Sequence, residues 1–212
     1  MITVYGEGRG LRVVWLLEEM GLPYRLRDVD LLADVTQDTA FMALNPAGFI
    51  PALVDGAVTM VESIAIMEYL MARHGPTPLM PAPEDAAFPA YKQFLLLGEA
   101  GLGQAGYFWS NALRLPEGQR DNPTARHTKY QFDSRLKLVE RQLAAAPYMA
   151  GAAFTAADIS VAYALDHAHY SAAYPFGPSV RSYLDRLHAR PGYQRALAAC
   201  PATRGWYAST GR

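Results

Sequence analysis

Residues 42–66 constrain the fold of this chain more than any other stretch, because turn, strand and helix signals follow one another there without a gap. Residues 45–48, Asn-Pro-Ala-Gly, predict a tight turn, since proline fixes φ and glycine tolerates a positive φ. Pro51 then precedes an apolar run, a position typical of a cis peptide bond at the start of a strand. Asp55-Gly56 separates two short apolar runs and predicts a hairpin, and Ser63 is expected to cap the helix that follows.

The first thirty residues predict a strand, a helix and a second strand. Residues 2–5 are mostly β-branched or aromatic, residues 12–20 carry apolar side chains at helical spacing, and residues 24–29 form another strand-like run. A strand–helix–strand unit of this length implies a parallel pair. With a short helix at 39–44, the hairpin and a helix from residue 64, the N-terminal part is predicted to have the order βαβ-α-ββα.

Strand signals end at a proline-dense segment, residues 76–88, which predicts a stiff surface linker. The remaining chain carries only helical patterns, at residues 86–113, 124–146, 155–169, 180–189 and 192–199. Thr155 and Asp158 have the spacing of a capping box at the start of one of these helices. We therefore expect a first domain over residues 1–75, the linker, and an all-helical domain over residues 89–212.

Composition excludes several classes of partner and compartment. A net charge of −1 and a pI near 6.5 leave no basic excess for nucleic acid or anionic lipid. One cysteine excludes an internal disulfide framework and fits a reducing compartment. No apolar run approaches the ~18 residues of a membrane span, and no signal peptide is evident. We expect a soluble, cytoplasmic protein.

Three spaced motifs together resemble the cytosolic glutathione transferases. Residues 45–66 resemble the glutathione-site half of that family, residues 15–24 its first helix and the entry to its second strand, and residues 154–159 the cap of its core helix. The motifs stand in the family's order and span almost the whole chain. The resemblance, to a bacterial member whose class stays open, implies a thioredoxin-like N-terminal domain with cis-Pro51 followed by a C-terminal helical bundle, an α/β plus all-α fold.

The resemblance also implies a chemistry. Glutathione would be the co-substrate, and its thiolate would attack a small apolar electrophile in a homodimeric enzyme. No metal is expected, since His167 and His169, two apart on a predicted helix, share no face. Rival interpretations are a glutathione-binding protein without turnover, a glutathione-dependent isomerase, dehalogenase or reductase, and a scaffold module that uses the same fold.

The candidate glutathione-binding residues lie around Pro51 and at the start of the following helix. A cis-proline would leave the N–H and C=O of Ile50 at an open strand edge, where the cysteinyl amide of the tripeptide could pair. Glu62 suits the ammonium of the γ-glutamyl end, and Ser63 with the helix N-terminus suits its carboxylate. The alternatives are a structural turn proline and an ordinary capped helix.

The loop over residues 6–12 departs from the family, because it holds no Ser, Thr or Cys to activate the glutathione thiol. Glu7 does not replace them, since a carboxylate would repel a thiolate. Three alternatives stay open: Tyr5 donates a hydrogen bond, Arg9 or backbone N–H groups stabilise the thiolate, or the thiol is not activated.

A glycine-rich stretch, residues 98–106, precedes three aromatic residues in the second domain. Its glycines predict a close approach between helices. Tyr107, Phe108 and Trp109 are candidates for the wall of an apolar co-substrate pocket. The alternative for these three is plain core packing. Cys200 lies in an apolar stretch and is expected to be buried and inert.

Overall fold

The computed structural model describes residues 1–30 and 33–210, and the chain groups into two compact units. Among the described residues, unit 1 comprises those of Met1–Thr77 and Arg190–Trp206, and unit 2 comprises Pro78–Ala189 and those from Tyr207 to Thr210. This grouping differs from the predicted division into residues 1–75, 76–88 and 89–212, because a segment near the C-terminus packs with the first unit.

The described residues of unit 1 form four strands: Ile2–Tyr5 (β1), Tyr24–Arg27 (β2), Ala52–Asp55 (β3) and Val58–Val61 (β4). They form one sheet in the order β2-β1-β3-β4, with β1 parallel to β2 and the other two pairs antiparallel. The predicted parallel pair and hairpin are therefore confirmed. β2 is two residues shorter than predicted. The Asp28 carboxylate accepts from the Val29 N–H at 2.9 Å, which gives that donor a local partner outside the ladder.

Three helices complete the predicted βαβ-α-ββα order: Gly10–Met20 (α1), Thr39–Leu44 (α2) and Ser63–His74 (α3). α1 ends where Gly21 takes a left-handed conformation, with φ 66°. α2 is capped by Asp38, whose carboxylate accepts from the Phe41 N–H at 3.0 Å. Unit 1 is thioredoxin-like, and the Ile50–Pro51 peptide bond is cis, as predicted.

The two faces of the sheet are covered by different helices. Val4 is buried on the face of α1, and its Cγ1 lies 3.8 Å from the position that a Cβ on Gly10 would take. Successive side chains of a strand point to opposite faces. Tyr5 therefore lies on the other face, where it packs with Phe41 of α2 and with Ala52.

Unit 2 is helical, as predicted. Its helices are Phe88–Leu96 (α4), Gln104–Ala112 (α5), Glu117–Arg120 (α6), Pro123–Ala145 (α7), Ala156–Ala172 (α8) and Pro178–His188 (α9). A π-helical segment, Leu97–Gly103, joins α4 to α5, so the helix predicted over residues 86–113 is irregular. α8 approaches closely at this segment. Ser160 donates its hydroxyl proton to the Leu95 carbonyl at 2.7 Å, and a side chain at Gly98 would overlap Ser160.

α8 is buried along most of its length, and the predicted capping box at its start is confirmed. The Asp158 carboxylate accepts from the N–H groups of Met149 and Thr155, both at 2.8 Å. It also accepts from the Tyr183 hydroxyl at 2.9 Å. The polar groups of this helix start are therefore bonded to one another inside unit 2.

Two further helices follow, Pro191–Ala199 (α10) and Pro201–Thr210 (α11). α10 packs on α1 within unit 1, where the rings of Trp15 and Tyr193 meet edge to face with centroids 4.8 Å apart. Arg190 donates two hydrogen bonds to the Glu19 carboxylate, at 2.8 and 2.7 Å. The sequence did not predict α11, and it placed α10 in the second domain.

Candidate active site

The start of α3 places Glu62 and Ser63 side by side, but neither side chain caps the helix. Glu62 is exposed, with φ 72° and ψ 107°, a conformation that costs a residue other than glycine about 1–3 kcal/mol. Ser63 is the first helical residue and is only 3% exposed. The expectation that Ser63 caps α3 is therefore wrong, because its hydroxyl meets a side chain of α1 instead of the backbone of α3.

A buried arginine lies behind this helix start. Arg12 of α1 is fully buried, and its Nη1 donates a hydrogen bond to the Ser63 Oγ at 3.3 Å. The guanidinium adds positive charge to a helix N-terminus whose N–H groups already favour an anion. The sequence analysis did not single out Arg12. The sequence did contain a signal for it: Arg12 is a single charged residue between the apolar residues Leu11 and Val13 at the start of the predicted helix.

Strand register brings the predicted site residues to one end of the sheet. Ala52 pairs with Val61 in β4 and with Tyr5 in β1. Pro51 and Glu62 each lie one residue beyond this pairing, so they meet at the same end of the sheet, beside the loop that follows β1. Three segments that are distant in sequence are thus assembled by the sheet itself.

Pro51 also lies against the loop that leads into α1. Its Cβ is 3.6 Å from the position that a Cβ on Gly10 would take. Gly6 has φ 85°, and a side chain there would overlap Ile50. Among the loop and turn hydrogen bonds within residues 1–30 and 33–210, none uses the backbone N–H or C=O of Ile50. Ile50 and Pro51 therefore lie next to the loop over residues 6–12, which holds a candidate for activating the thiol.

The two candidate thiol activators lie in different surroundings. The Tyr5 ring faces away from α1 and stacks on Phe41, with centroids 6.2 Å apart. The Arg27 guanidinium lies over the Tyr5 ring, 5.5 Å from its centroid. Arg9 is the N-cap residue of α1 and is partly buried. Of the two, only Arg9 adjoins Gly10, the residue that lies beside the proline.

Glu7, in the same loop, is buried and directs its carboxylate towards α11. The Thr203 N–H donates to the Glu7 Oε2 at 2.7 Å, and the Gly8 N–H donates to the Thr203 Oγ1 at 3.1 Å. Burial, together with the charge of Glu7, raises the pKa of the Cys200 thiol to about 12. Cys200 is therefore buried, as expected, and protonated at neutral pH.

The three aromatic candidates of unit 2 divide between surface and core. Tyr107 and Phe108 are 39% and 53% exposed, whereas Trp109 is 8% exposed. The Trp109 ring packs against Phe132 and Tyr174, with centroids 6.4 and 5.8 Å away. Core packing therefore describes Trp109 and not the other two.

A cavity of about 660 Å³ lies in unit 2, lined mainly by α8, α9 and the segment between them. Asp166 and His188 line it and form an ion pair at 3.0 Å. Burial lowers the pKa of His188, but the charge and hydrogen bond of Asp166 outweigh burial and raise that pKa above its usual value. The lining includes Tyr174 but none of the three aromatic candidates.

Within residues 1–30 and 33–210, no three His, Cys, Asp or Glu side chains come together as metal ligands would. Over the same residues, no helix combines the length and the apolar character needed to cross a bilayer.

Similarity to known proteins assigns the chain to a family. The family model described as the glutathione S-transferase N-terminal domain matches residues 10–73. Glutathione S-transferase 3 of Zea mays is 32% identical over 208 residues, which cover 90% of this chain and 89% of that protein. The chain belongs to the glutathione S-transferase family. The matched segment contains Arg12, Pro51 and Glu62 with Ser63, whereas Tyr5 lies before it.

Solved structures of this family share the fold. The theta-class glutathione S-transferase of Xanthomonas axonopodis pv. citri, determined with glutathione bound, has a TM-score of 0.78 and 28% identity, covering 92% of this chain and 96% of its own. Glutathione transferase URE2P8 of Phanerochaete chrysosporium, at 21% identity and a TM-score of 0.83, covers 96% of each chain and agrees in fold alone. A further relative by sequence, glutathione S-transferase GstB of Escherichia coli K12, is 25% identical over 93% of this chain and 98% of its own. The predicted fold class, a thioredoxin-like domain followed by a helical bundle, is confirmed.

Proposed function

We propose that this protein binds glutathione at the start of α3 and transfers its thiolate to a small apolar electrophile. The observation that carries the proposal is the helix start: an exposed Glu62 with φ 72°, next to a buried Ser63 that Arg12 contacts. Strained residues persist only where the surrounding structure imposes them, and they cluster at functional sites. The glutathione bound in the Xanthomonas relative supports this ligand.

The two charges of the γ-glutamyl end suit two different groups at this helix start. The Glu62 carboxylate attracts the ammonium. The N–H groups of the α3 N-terminus, the Ser63 hydroxyl and the guanidinium of Arg12 favour the carboxylate. The cysteinyl amide would pair with the backbone of Ile50, which precedes Pro51 at the same end of the sheet.

We assign stabilisation of the thiolate to Arg9 rather than to Tyr5. Arg9 precedes Gly10, and Gly10 lies beside Pro51, so the backbone of a cationic residue lies near the segment that would bind the cysteinyl residue. A nearby cation and a helix N-terminus both lower the pKa of a thiol. Tyr5 lies on the opposite face of the sheet and stacks on Phe41.

The electrophile side of the proposal rests on Tyr107 and Phe108, whose exposed rings offer an apolar surface on α5. Trp109, buried on the same helix, would hold that surface in place. The proposal includes a homodimer and a cytoplasmic location, where glutathione is abundant. Light scattering should give a mass of about twice 23.3 kDa, and a mass near 23.3 kDa would contradict the dimer.

Calorimetry with glutathione tests the binding half of the proposal. Ser63→Ala removes the hydroxyl between Arg12 and the bound carboxylate, and binding should weaken by about 1–3 kcal/mol. Ser182→Ala, at an exposed position of α9, is the matched control and should leave the Kd unchanged. An unchanged Kd in Ser63→Ala would reject this placement of the γ-glutamyl end.

Ultraviolet absorbance of the thiolate tests the activation half. Arg9→Gln should raise the thiol pKa of bound glutathione by roughly one unit, whereas Tyr5→Phe should leave it unchanged. If Tyr5→Phe raised the thiol pKa and Arg9→Gln left it unchanged, Tyr5 would be the residue that stabilises the thiolate.

A second candidate function is glutathione binding without transfer, which the lack of Ser, Thr and Cys in residues 6–12 favours. Turnover of chlorodinitrobenzene separates the two functions. In transfer, the glutathione sulfur forms a bond to the ring carbon and chloride leaves with the bonding electrons. Tight glutathione binding with neither a thiolate signal nor turnover would favour the second function.

A further inference from the structure

We propose that Thr203 of α11 is a positioning residue for the loop that activates the thiol. The inference rests on the proposed function, because it concerns how the loop before α1 is held for the chemistry assigned to Arg9. Thr203 belongs to the C-terminal segment that packs in unit 1, and it lies 195 positions from Gly8 in sequence. The last helix would therefore support a site formed near the first residues of the chain.

Two hydrogen bonds run in opposite directions between this loop and α11. The Thr203 N–H donates to the Glu7 Oε2 at 2.7 Å, and the Gly8 N–H donates to the Thr203 Oγ1 at 3.1 Å. Glu7 and Thr203 are 6% and 5% exposed, so water competes little for either bond. A single residue of α11 thus bonds both residues that immediately precede Arg9.

The helix start explains why a carboxylate is stable in this buried position. Pro201 begins α11, so Thr203 is its third residue, and the first N–H groups of a helix have no partner inside it. A carboxylate at a helix N-terminus is also favoured by the helix dipole. Glu7, which would repel a thiolate, instead directs its charge towards α11.

The loop is held from a second side by the residue before the cis-proline. A side chain at Gly6 would overlap Ile50, so the loop backbone packs directly on that residue. Within the loop, the Gly10 N–H donates a hydrogen bond to the Glu7 carbonyl at 3.0 Å, at the turn that leads into α1. With Glu7 and Gly8 held, the backbone position of Arg9 is held as well, and small displacements of a catalytic group cost large factors in rate.

The test uses the full chain, glutathione and chlorodinitrobenzene. Thr203→Val keeps the shape of the side chain and removes the Oγ1 that Gly8 bonds, whereas Thr203→Ser keeps that oxygen. Ala202→Val, at an exposed position in the same turn, is the matched control for a β-branched apolar side chain. Thr203→Val should lower kcat about tenfold and raise the thiol pKa of bound glutathione, with the glutathione KM changed less than about twofold. Thr203→Ser and Ala202→Val should resemble wild type.

Failure of this inference is distinguishable from failure of the proposed function. If wild type binds and ionises glutathione and Thr203→Val does so equally well, the inference is overturned and the function stands. An equal loss in Thr203→Ser also overturns it, because that variant keeps the bonded oxygen. If wild type does not bind glutathione, the proposed function fails and the inference fails with it. Should Thr203→Val not fold, Thr203→Ala carries the same test, since it removes the hydroxyl without adding a methyl group.

Discussion

Two helices of this protein begin with an acidic residue and a hydroxyl residue, and they use the pair in opposite ways. At the start of α8, Thr155 and Asp158 form a capping box, and both are buried. At the start of α3, Glu62 and Ser63 form no cap, and Glu62 is exposed with φ 72°. The first pair stabilises the helix that it begins, whereas the second pair makes no cap at the start of α3 and is the pair to which the proposed function assigns glutathione.

The spacing of the pair accounts for the difference. In Thr155-x-x-Asp158 the acid lies three residues inside the helix, where its carboxylate reaches back to the Thr155 N–H. Glu62 occupies the cap position itself with a positive φ, and its side chain makes no hydrogen bond to the first N–H groups of α3. A helix start that satisfies its own donors gains stability, while one that leaves them to other partners offers a site for an anion.

The largest effect is expected at Asp158. Asp158→Asn puts an NH2 group opposite the N–H donors of Met149 or Thr155, and the free energy of unfolding should fall by about 3–5 kcal/mol. Urea denaturation measures the change. Asp121→Asn, in an exposed pair with Arg126, is the control and should change the value by less than about 0.5 kcal/mol. A similarly small change in Asp158→Asn would remove the contrast between the two helix starts.

Glu62→Gly should show the reverse pattern, with an intact fold and a lost ligand group. Glycine adopts this φ without strain, so the free energy of unfolding should stay within about 0.5 kcal/mol of wild type or rise. The Kd for glutathione should increase at least about tenfold, because no carboxylate meets the ammonium. Ala65→Gly, at an exposed position inside α3, should cost about 0.5–1 kcal/mol of stability and leave the Kd unchanged. A clear loss of stability in Glu62→Gly would show that this backbone conformation is not strained.

The two hydroxyl groups give a smaller contrast. Thr155→Ala removes a cap, and the free energy of unfolding should fall by about 1 kcal/mol. Ser63→Ala removes one long hydrogen bond from Arg12, at 3.3 Å, and should cost about half as much or less. Thermal denaturation of both variants under one condition makes the comparison. If Ser63→Ala were the more destabilising change, the hydroxyl at α3 would be structural rather than ligand-binding.

The smallest effect on stability is expected at the ion pair of Asp166 on α8 with His188 on α9, inside unit 2. Because its charge and hydrogen bond raise the pKa of His188, the folded protein holds that proton more tightly than the unfolded chain. The stability from the pair is therefore complete below the unfolded pKa of about 6.5 and is lost as the pH rises through the folded value. The difference in unfolding free energy between wild type and His188→Gln should be larger at about pH 6 than at about pH 9. A difference that is constant or grows with pH would contradict the ion pair.

Much of the fold could be predicted because its signals act over a few residues. Asp55-Gly56 predicts the hairpin, Gly21 the end of α1, and Thr155 with Asp158 the capping box. Ser63 shows the limit of such signals. Serine is a common cap residue, but Glu62 occupies the cap position and Ser63 is the first residue inside the helix. The Ser63 hydroxyl therefore contacts Arg12 of α1.

The candidate site was predicted in part for the same reason. The segments that carry Pro51 and Glu62 were found from local motifs, and strand register then brought them together at one end of the sheet. Arg12 was overlooked because helical spacing around it indicated only a buried face. For Trp109 the sequence left a pocket wall and core packing both open, since an aromatic residue on a helix looks the same in sequence whether it lines a cavity or packs in a core.

By itself, the sequence determined all four strands of the described residues, most of the helices and where most of these elements begin, since those choices depend on neighbours along the chain. Only the tertiary structure decided that α10 packs on α1, that Arg12 lies behind Ser63, and that Thr203 bonds the loop at Glu7. The last two contacts join residues 51 and 196 positions apart. Such contacts depend on which buried faces and charges come together once the elements pack. The periodicity within one segment cannot predict its partner in a distant segment.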